Sequence, residues 1–211
     1  IFLPPTHNSI PELMEDIEKF VHNDKLFFPE LLKIALIHYQ FETIHPFLDG
    51  NGRTGRLMIT LYLVSRGILK RPILYLSDYL EKHRNSYYTN LMHVRVDNNI
   101  IDWFRFFLTG IIETAENGVK TFEEILSLQK ENEDKVKLLG SRSANALKVL
   151  TELYKRPITD ANMVAGIADI STASAYTLIA NLEKIGILSE VTGGKRGRVY
   201  ILKKYFDIFN R

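Results

Sequence analysis

Residues 30–44 carry apolar side chains around nearly the whole circumference of a helix, so this segment is predicted to be buried on most faces. The next twelve residues are opposite in character. His45-Pro46-Phe47-Leu48-Asp49-Gly50-Asn51-Gly52-Arg53-Thr54-Gly55-Arg56 packs an imidazole, a carboxylate, three glycines, an amide and two guanidiniums into one short span. From Leu57 to Val64 the chain is strongly apolar again, and Gly67 offers a helix stop. A polar, glycine-rich loop is therefore held between two core helices. A rigid site would be built there.

The chemistry of that loop can be read residue by residue. Pro46 disfavours the α region for His45, so the buried helix should end at about Ile44 and leave the imidazole at the loop's mouth. A histidine there can accept a proton near neutral pH. Gly50 and Gly52 remove side chains where backbone N–H groups would approach a ligand. With the next helix starting at about Arg53, its free N–H groups and positive dipole end make an anion site. Arg53 and Arg56 lie three apart on one face of its first turn, in reach of phosphate oxygens. Asp49 supplies a hard oxygen ligand suited to Mg²⁺ shared with phosphates. Base, anion cradle, metal ligand and cationic clamps together describe nucleotidyl or phosphoryl transfer to a hydroxyl group.

The rest of the chain reads in two parts. Residues 1–140 carry 16 Lys and Arg against 19 Asp and Glu, whereas residues 141–211 carry 11 against 6. An acidic front and a basic tail suggest two modules, the second suited to a polyanion. Ser9-Ile10-Pro11-Glu12 predicts a capping box opening a helix that runs to about His22. Tyr79 to Val96 and the aromatic-rich segment Ile100 to Ile112 are predicted helices. Thr121 to Lys137 is a separate, charge-alternating connector, and Gly140-Ser141 marks a boundary. Helices at about 143–155, 160–168 and 171–185 then precede two strand-like runs, Ile187–Val191 and Arg198–Leu202, joined by a glycine-rich basic tip. Three helices and a basic hairpin form a winged helix-turn-helix pattern, with Lys195, Arg196 and Arg198 as candidate DNA contacts.

The twelve-residue loop resembles the Fic (filamentation induced by cAMP) signature, His-Pro-Phe-x-Asp/Asn-Gly-Asn-Gly-Arg-x-x-Arg, at every fixed position. The resemblance spans residues 1–115. It implies a mostly α Fic-type helical bundle, followed here by a helical linker (116–140) and a small α+β winged helix-turn-helix domain (141–211). It also implies transfer of AMP from ATP to a Ser, Thr or Tyr hydroxyl of a protein, with release of pyrophosphate. On this resemblance His45 is the general base and Asp49 coordinates Mg²⁺. Gly50, Asn51 and Gly52 form the anion cradle, with Thr54 and Gly55 in the same nucleotide-binding turn. Arg53 holds the phosphates and Arg56 the γ-phosphate, while Tyr87 and Tyr88 resemble an adenosine-contacting pair. Kinase members of the Doc type carry Ala-Asn-Lys where this chain has Gly50-Asn51-Gly52, which favours AMP transfer. The family's inhibitory helix, whose glutamate pairs with the second motif arginine, here Arg56, usually lies upstream in proteins with this domain order, while Ser127, Glu131 and Asn132 also fit its pattern. Ile1-Phe2-Leu3 would be the end of a target-aligning flap.

The alternatives are removal of AMP by the same site, or a DNA-binding regulator whose Fic domain senses nucleotide. Expected partners are ATP, a hydroxyl-bearing target protein, and DNA or a protein on the winged helix. A homodimer is also considered. Without cysteine there is no disulfide, thiolate metal site or cysteine nucleophile. No apolar run approaches the roughly 18 residues that span a bilayer, and no membrane partner is expected. A cytoplasmic location is the expectation, and the start at Ile1 suggests a missing upstream segment.

Overall fold

A computed structural model describes residues 3–194 and 196–210. The chain divides between Gly118 and Val119 into two units.

In the first unit a single-turn 3₁₀ helix (His7–Ser9) leads into α1 (Ile10–Val21), then α2 (Glu30–Ile44) and α3 (Asn51–Ser65). The predicted capping box does not form. Ser9 has helical angles (φ −89°, ψ −13°) and bonds Thr6 Oγ1 instead, whereas a capping side chain needs an extended backbone to reach back over the first turn. α2 is the buried element: Ile34, Ala35, Ile37, Phe41 and Ile44 are all at most 2% exposed. Even Lys33 on α2 is buried, its ammonium donating to the carbonyls of Val21 and Asn23 at the end of α1.

Where the sequence predicts one helix over 79–96, there are two, α4 (Leu76–Lys82) and α5 (Arg84–Asp97), broken at His83. The break has no glycine or proline to announce it. It coincides with the His83 ring lying against Tyr79 at 4.5 Å, and Tyr79 in turn packs on Phe106. α6 (Ile100–Lys137) is continuous where the sequence predicts two helices. Gly118 costs a helix interior only about 1 kcal/mol relative to alanine, too little to break so long a run of helix formers. Trp103 on α6 is fully buried in the first unit and donates from Nε1 to the Ala35 carbonyl at 3.0 Å. The ring thereby locks α6 to the middle of α2.

The second unit holds α7 (Ser143–Lys155), β1 (Ile158–Thr159), α8 (Ala161–Ala168), α9 (Thr172–Lys184), β2 (Ser189–Glu190), β3 (Tyr200–Ile201) and α10 (Lys203–Phe209). Two side-chain caps define the middle helices, Asp160 accepting from the Met163 N–H and Ser171 from the Ser174 N–H. Between α8 and α9 the chain direction turns through 103° across three residues, Asp169 taking a left-handed conformation. The sheet is antiparallel in the order β1-β3-β2, with Ile201 opposite both Ile158 and Ser189. Its first hairpin strand starts later than predicted because the Ile187 and Leu188 N–H groups close back on the Leu182 carbonyl near the end of α9. The two-residue β1 and the short α10 have no counterpart in the sequence pattern. Neither is long enough to show a periodicity.

Trp103→Ala removes the central ring of the first core and its hydrogen bond. The expected loss of stability is about 3–5 kcal/mol, measured by urea titration with a probe in the first unit.

Candidate active site

The site is made where α2 ends and α3 begins. Helix α2 stops on His45, whose backbone is left-handed (φ 51°, ψ 57°) while its N–H still closes on the Phe41 carbonyl at 2.9 Å. The proline effect predicts an extended His45. The structure instead uses the other non-helical well, at a cost of about 1–2 kcal/mol for a residue with a Cβ. The chain reverses there, and His45 is exposed at the mouth of the loop.

Asn51 sets the loop's shape. Its Oδ1 accepts from the Phe47 N–H at 2.9 Å and its Nδ2 donates to the Phe47 carbonyl at 2.6 Å, with the residue 2% exposed. The Fic resemblance implies that this side chain forms part of an anion cradle. Both of its polar atoms are used inside the loop, so its contribution to a cradle is to shape it. Gly50 (φ 85°, ψ 4°) then turns the chain into α3, in a region of backbone space that glycine occupies without strain.

α3 starts at Asn51, two residues earlier than predicted. The Thr54 N–H closes on Gly50 O at 2.9 Å, which leaves the N–H groups of Asn51, Gly52 and Arg53 ahead of the helix's own ladder. Arg53 pairs with Asp49 at 3.0 Å, but these side chains are 75% and 91% exposed. Such a pair is worth at most about 1 kcal/mol and opens readily to a ligand. The Arg56 guanidinium lies along Gly52, Nη1 coming within 3.2 Å of where a Cβ would sit. Arg53, Arg56, Thr60 and Tyr75 line a pocket of about 240 Å³ beside the first turn of α3. Thr54 is exposed on that turn.

Beneath the loop lies a buried polar group that the sequence pattern does not single out. Gly55 lets α3 approach α2 so closely that a Cβ there would fall 2.7 Å from Glu42 Oε1 and 3.1 Å from the His38 ring. His38 is fully buried, its Nε2 3.0 Å from the Tyr87 hydroxyl. Burial, reinforced by the Arg56 charge, drives its pKa down to about 4. Burial also pushes the Glu42 carboxyl up, opposed by His45, Arg56 and Arg95, and pushes the Tyr87 phenol up strongly. Arg95 donates to Thr43 Oγ1 at 3.1 Å and to the Glu42 carbonyl at 3.5 Å. The one available signal is the spacing of His38 and Glu42, four residues apart on a helix that is largely apolar.

The expected tyrosine pair divides. Tyr87 is buried against Trp103 and Phe106, whereas Tyr88 is 53% exposed with Arg84 over its ring. In the second unit, Glu131 pairs with Lys135 and Lys204 at 2.6 and 2.9 Å, which hold its carboxyl down to about 2. Arg196 and Arg198 are exposed at the hairpin tip, Arg198 donating to the Gly194 carbonyl, while Lys195, Ile1 and Phe2 lie outside the described residues.

Residues 1–63 match the model of the Fic/DOC family. A probable protein adenylyltransferase of Aquifex aeolicus is 41% identical over 69 residues, 32% of this chain and 21% of that protein. The protein adenylyltransferase Fic of Aedes aegypti is 31% identical over 105 residues, 49% of this chain and 20% of that protein. The chain thus spans about a fifth of the length of these curated relatives. In fold it is similar to a Fic family protein from Desulfovibrio desulfuricans G20, with a TM-score of 0.55 and 20% identity over 94% of this chain and 56% of that one. A helical unit with the site on a loop between two core helices is the class these features define. Over residues 1–63 the chain is similar to the Fic/DOC family, and it shares its fold with a Fic family protein.

Asn51→Ala should cost about 1–3 kcal/mol and strip the Phe47 amide of protection in hydrogen exchange. A second outcome concerns pH. His38, folded as the neutral form with a pKa of about 4 against 6.5, binds fewer protons than the unfolded chain between those values. Its contribution is full above pH 6.5 and is lost as pH falls towards 4, by roughly 3 kcal/mol. Glu42, shifted upward, acts in the opposite sense, its part being lost as pH rises through its raised value. Denaturant titrations from pH 7 to pH 4 should show a shallower fall for His38→Gln than for the wild type.

Proposed function

We propose that the chain is a Mg²⁺-dependent protein adenylyltransferase, moving AMP from ATP to a Ser, Thr or Tyr hydroxyl of a target protein. The observation that supports this best is the exposed His45 held at the end of α2 beside the unpaired N–H groups of α3, with Arg53 and Arg56 on the adjoining turn. Adenylyltransferase relatives that match the same segment add to it.

In the proposed reaction the target's hydroxyl oxygen attacks the α-phosphorus of ATP and its proton passes to His45. The bond from that phosphorus to the bridging oxygen of the β-phosphate breaks, and pyrophosphate leaves. The Asn51, Gly52 and Arg53 N–H groups receive the charge on the non-bridging oxygens, helped by the positive end of α3. Arg53 exchanges Asp49 for phosphate oxygens, and Arg56 takes the γ-phosphate. Asp49 is then free as the oxygen ligand of Mg²⁺, which when bound offsets phosphate charge. Among the described residues no group of three or more His, Cys, Asp or Glu could hold a metal alone. A single exposed carboxylate suits an ion that keeps most of its waters and shares its shell with phosphates. Tyr88, the exposed tyrosine, is the member of its pair open to the adenosine.

With ATP labelled on the α-phosphate, wild-type protein should label itself or a target, and His45→Ala should lower the rate about 10²- to 10⁴-fold. Label absent from every protein, with both forms equally inert, would reject the transferase.

We infer a second role for the second unit, a winged helix-turn-helix, supported by the 103° turn across three residues between α8 and α9 and the hairpin behind them. The exposed Arg196 and Arg198 suit phosphate contact. Duplex DNA affinity measured across salt should fall steeply, and Arg198→Ala should reduce the logarithmic slope by about 1. No mobility shift at low salt would leave this unit a protein-docking module.

A further inference from the structure

Most polar side chains of the site stand at the surface, but Glu42 does not. It is 9% exposed, on the last turn of α2, three residues before His45 and near enough for the charge of that imidazole to act on its carboxyl. Its Oε1 is fully enclosed and has no hydrogen-bond partner among the described residues. The same atom lies 4.0 Å from where a Cβ of Gly52 would sit and 2.7 Å from one on Gly55, so the carboxylate lies directly under the first turn of α3. A buried carboxylate oxygen left without a partner is costly in lost hydration. The fold retains it where a glutamine, a methionine or a leucine would fill the same volume.

The groups around it account for the charge. On α2 it faces His38, held neutral, and His45; on α3 it faces Arg56; on α5 it faces Arg95 and the neutral phenol of Tyr87. In the loop, Asp49 and Arg53 compensate one another. Arg95 is already engaged by Thr43 and by the Glu42 carbonyl, and no ion pair within 4.0 Å joins Glu42 to Arg56 among the described residues. His45 is the one neighbour whose charge changes in the proposed reaction. It becomes an imidazolium when it takes the proton of the target's hydroxyl, and a fixed negative charge in a medium of low dielectric favours that state.

We propose that Glu42 is a positioning residue for the general base, its enclosed carboxylate stabilising the imidazolium that forms on His45 during transfer. Glu42 touches neither substrate nor reacting atoms. It acts through His45, as a buried acid behind a histidine does in other hydroxyl-activating sites. This rests on the adenylyltransferase reading for its role in the rate, but not for its effect on His45 itself.

The test separates the two. Histidine ring resonances are titrated by NMR in the full chain, with His45 assigned by comparison with His45→Ala. In Glu42→Gln, which keeps shape and removes charge, the His45 midpoint should fall by about one pH unit. In Glu42→Asp, which keeps the charge, it should stay near the wild-type value and confirm that the fold survives at this position. In the labelled-ATP assay, Glu42→Gln should lower kcat about tenfold, leave the KM for ATP within twofold, and move the acidic limb of kcat/KM to lower pH. A His45 midpoint unchanged in Glu42→Gln overturns the proposal, whatever the activity. So does a KM that rises with kcat unchanged, which would make Glu42 a support for Arg56. Should wild-type protein transfer no AMP, the transferase reading fails, while the NMR result still decides the Glu42–His45 coupling.

Discussion

The approach of α3 to α2 at Gly55 is the constraint on which the site depends. A side chain there would strike the Glu42 carboxylate and the His38 ring, so the helices could not close at this point. Close contact puts the end of one helix beside the start of the next. The residues between them have little freedom left: His45 must reverse the chain in a left-handed cap, Gly50 must turn it back, and Asn51 must hold the interval by its two bonds to Phe47. The exposed chemistry of the loop is thus set by packing underneath it.

That arrangement also organises charge. An N-terminal helix end attracts anions and leaves three N–H groups open, and Arg53 and Arg56 add to the same field. The compensating negative charge is placed on two levels. Asp49 is at the surface, where it pairs with Arg53 loosely enough to release it, and Glu42 is below, where water cannot screen it. Trp103, bonded to the Ala35 carbonyl, and the His38–Tyr87 pair fix α6 and α5 against the same stretch of α2. The rigidity of the platform comes from these aromatic side chains.

Much of this is legible in the amino acids. The ends of α2 and the helices at 143–155 and 160–168 agree with expectation within a residue or so, and the loop ends two residues early. Proline, glycine and side-chain caps act locally, within a few residues of where they stand. The expectations that fail depend on partners distant in sequence. Ser9 has the right neighbours for a capping box but the wrong backbone angles, and His83 breaks a helix with no local breaker. The interval between Ile112 and Thr121 reads as a break and is not one, since the cost of about 1 kcal/mol for Gly118 loses to a long helix on either side. Tyr87 and Tyr88 are adjacent and of one kind. Their ring centroids are 5.3 Å apart, and only the step of about 100° between neighbours around α5 makes one core and the other surface.

By itself, then, the sequence determined the loop's chemistry: which atoms it offers, that His45 stands outside a helix, and that a helix begins within the glycine-rich segment. These features arise from covalent geometry and short-range hydrogen bonding, which act between neighbours. The tertiary structure decided what those atoms do. It turned the Asn51 amide inward, buried Tyr87, and set Glu42 beneath the first turn of α3, because burial and dielectric are properties of what surrounds a group and not of the group itself.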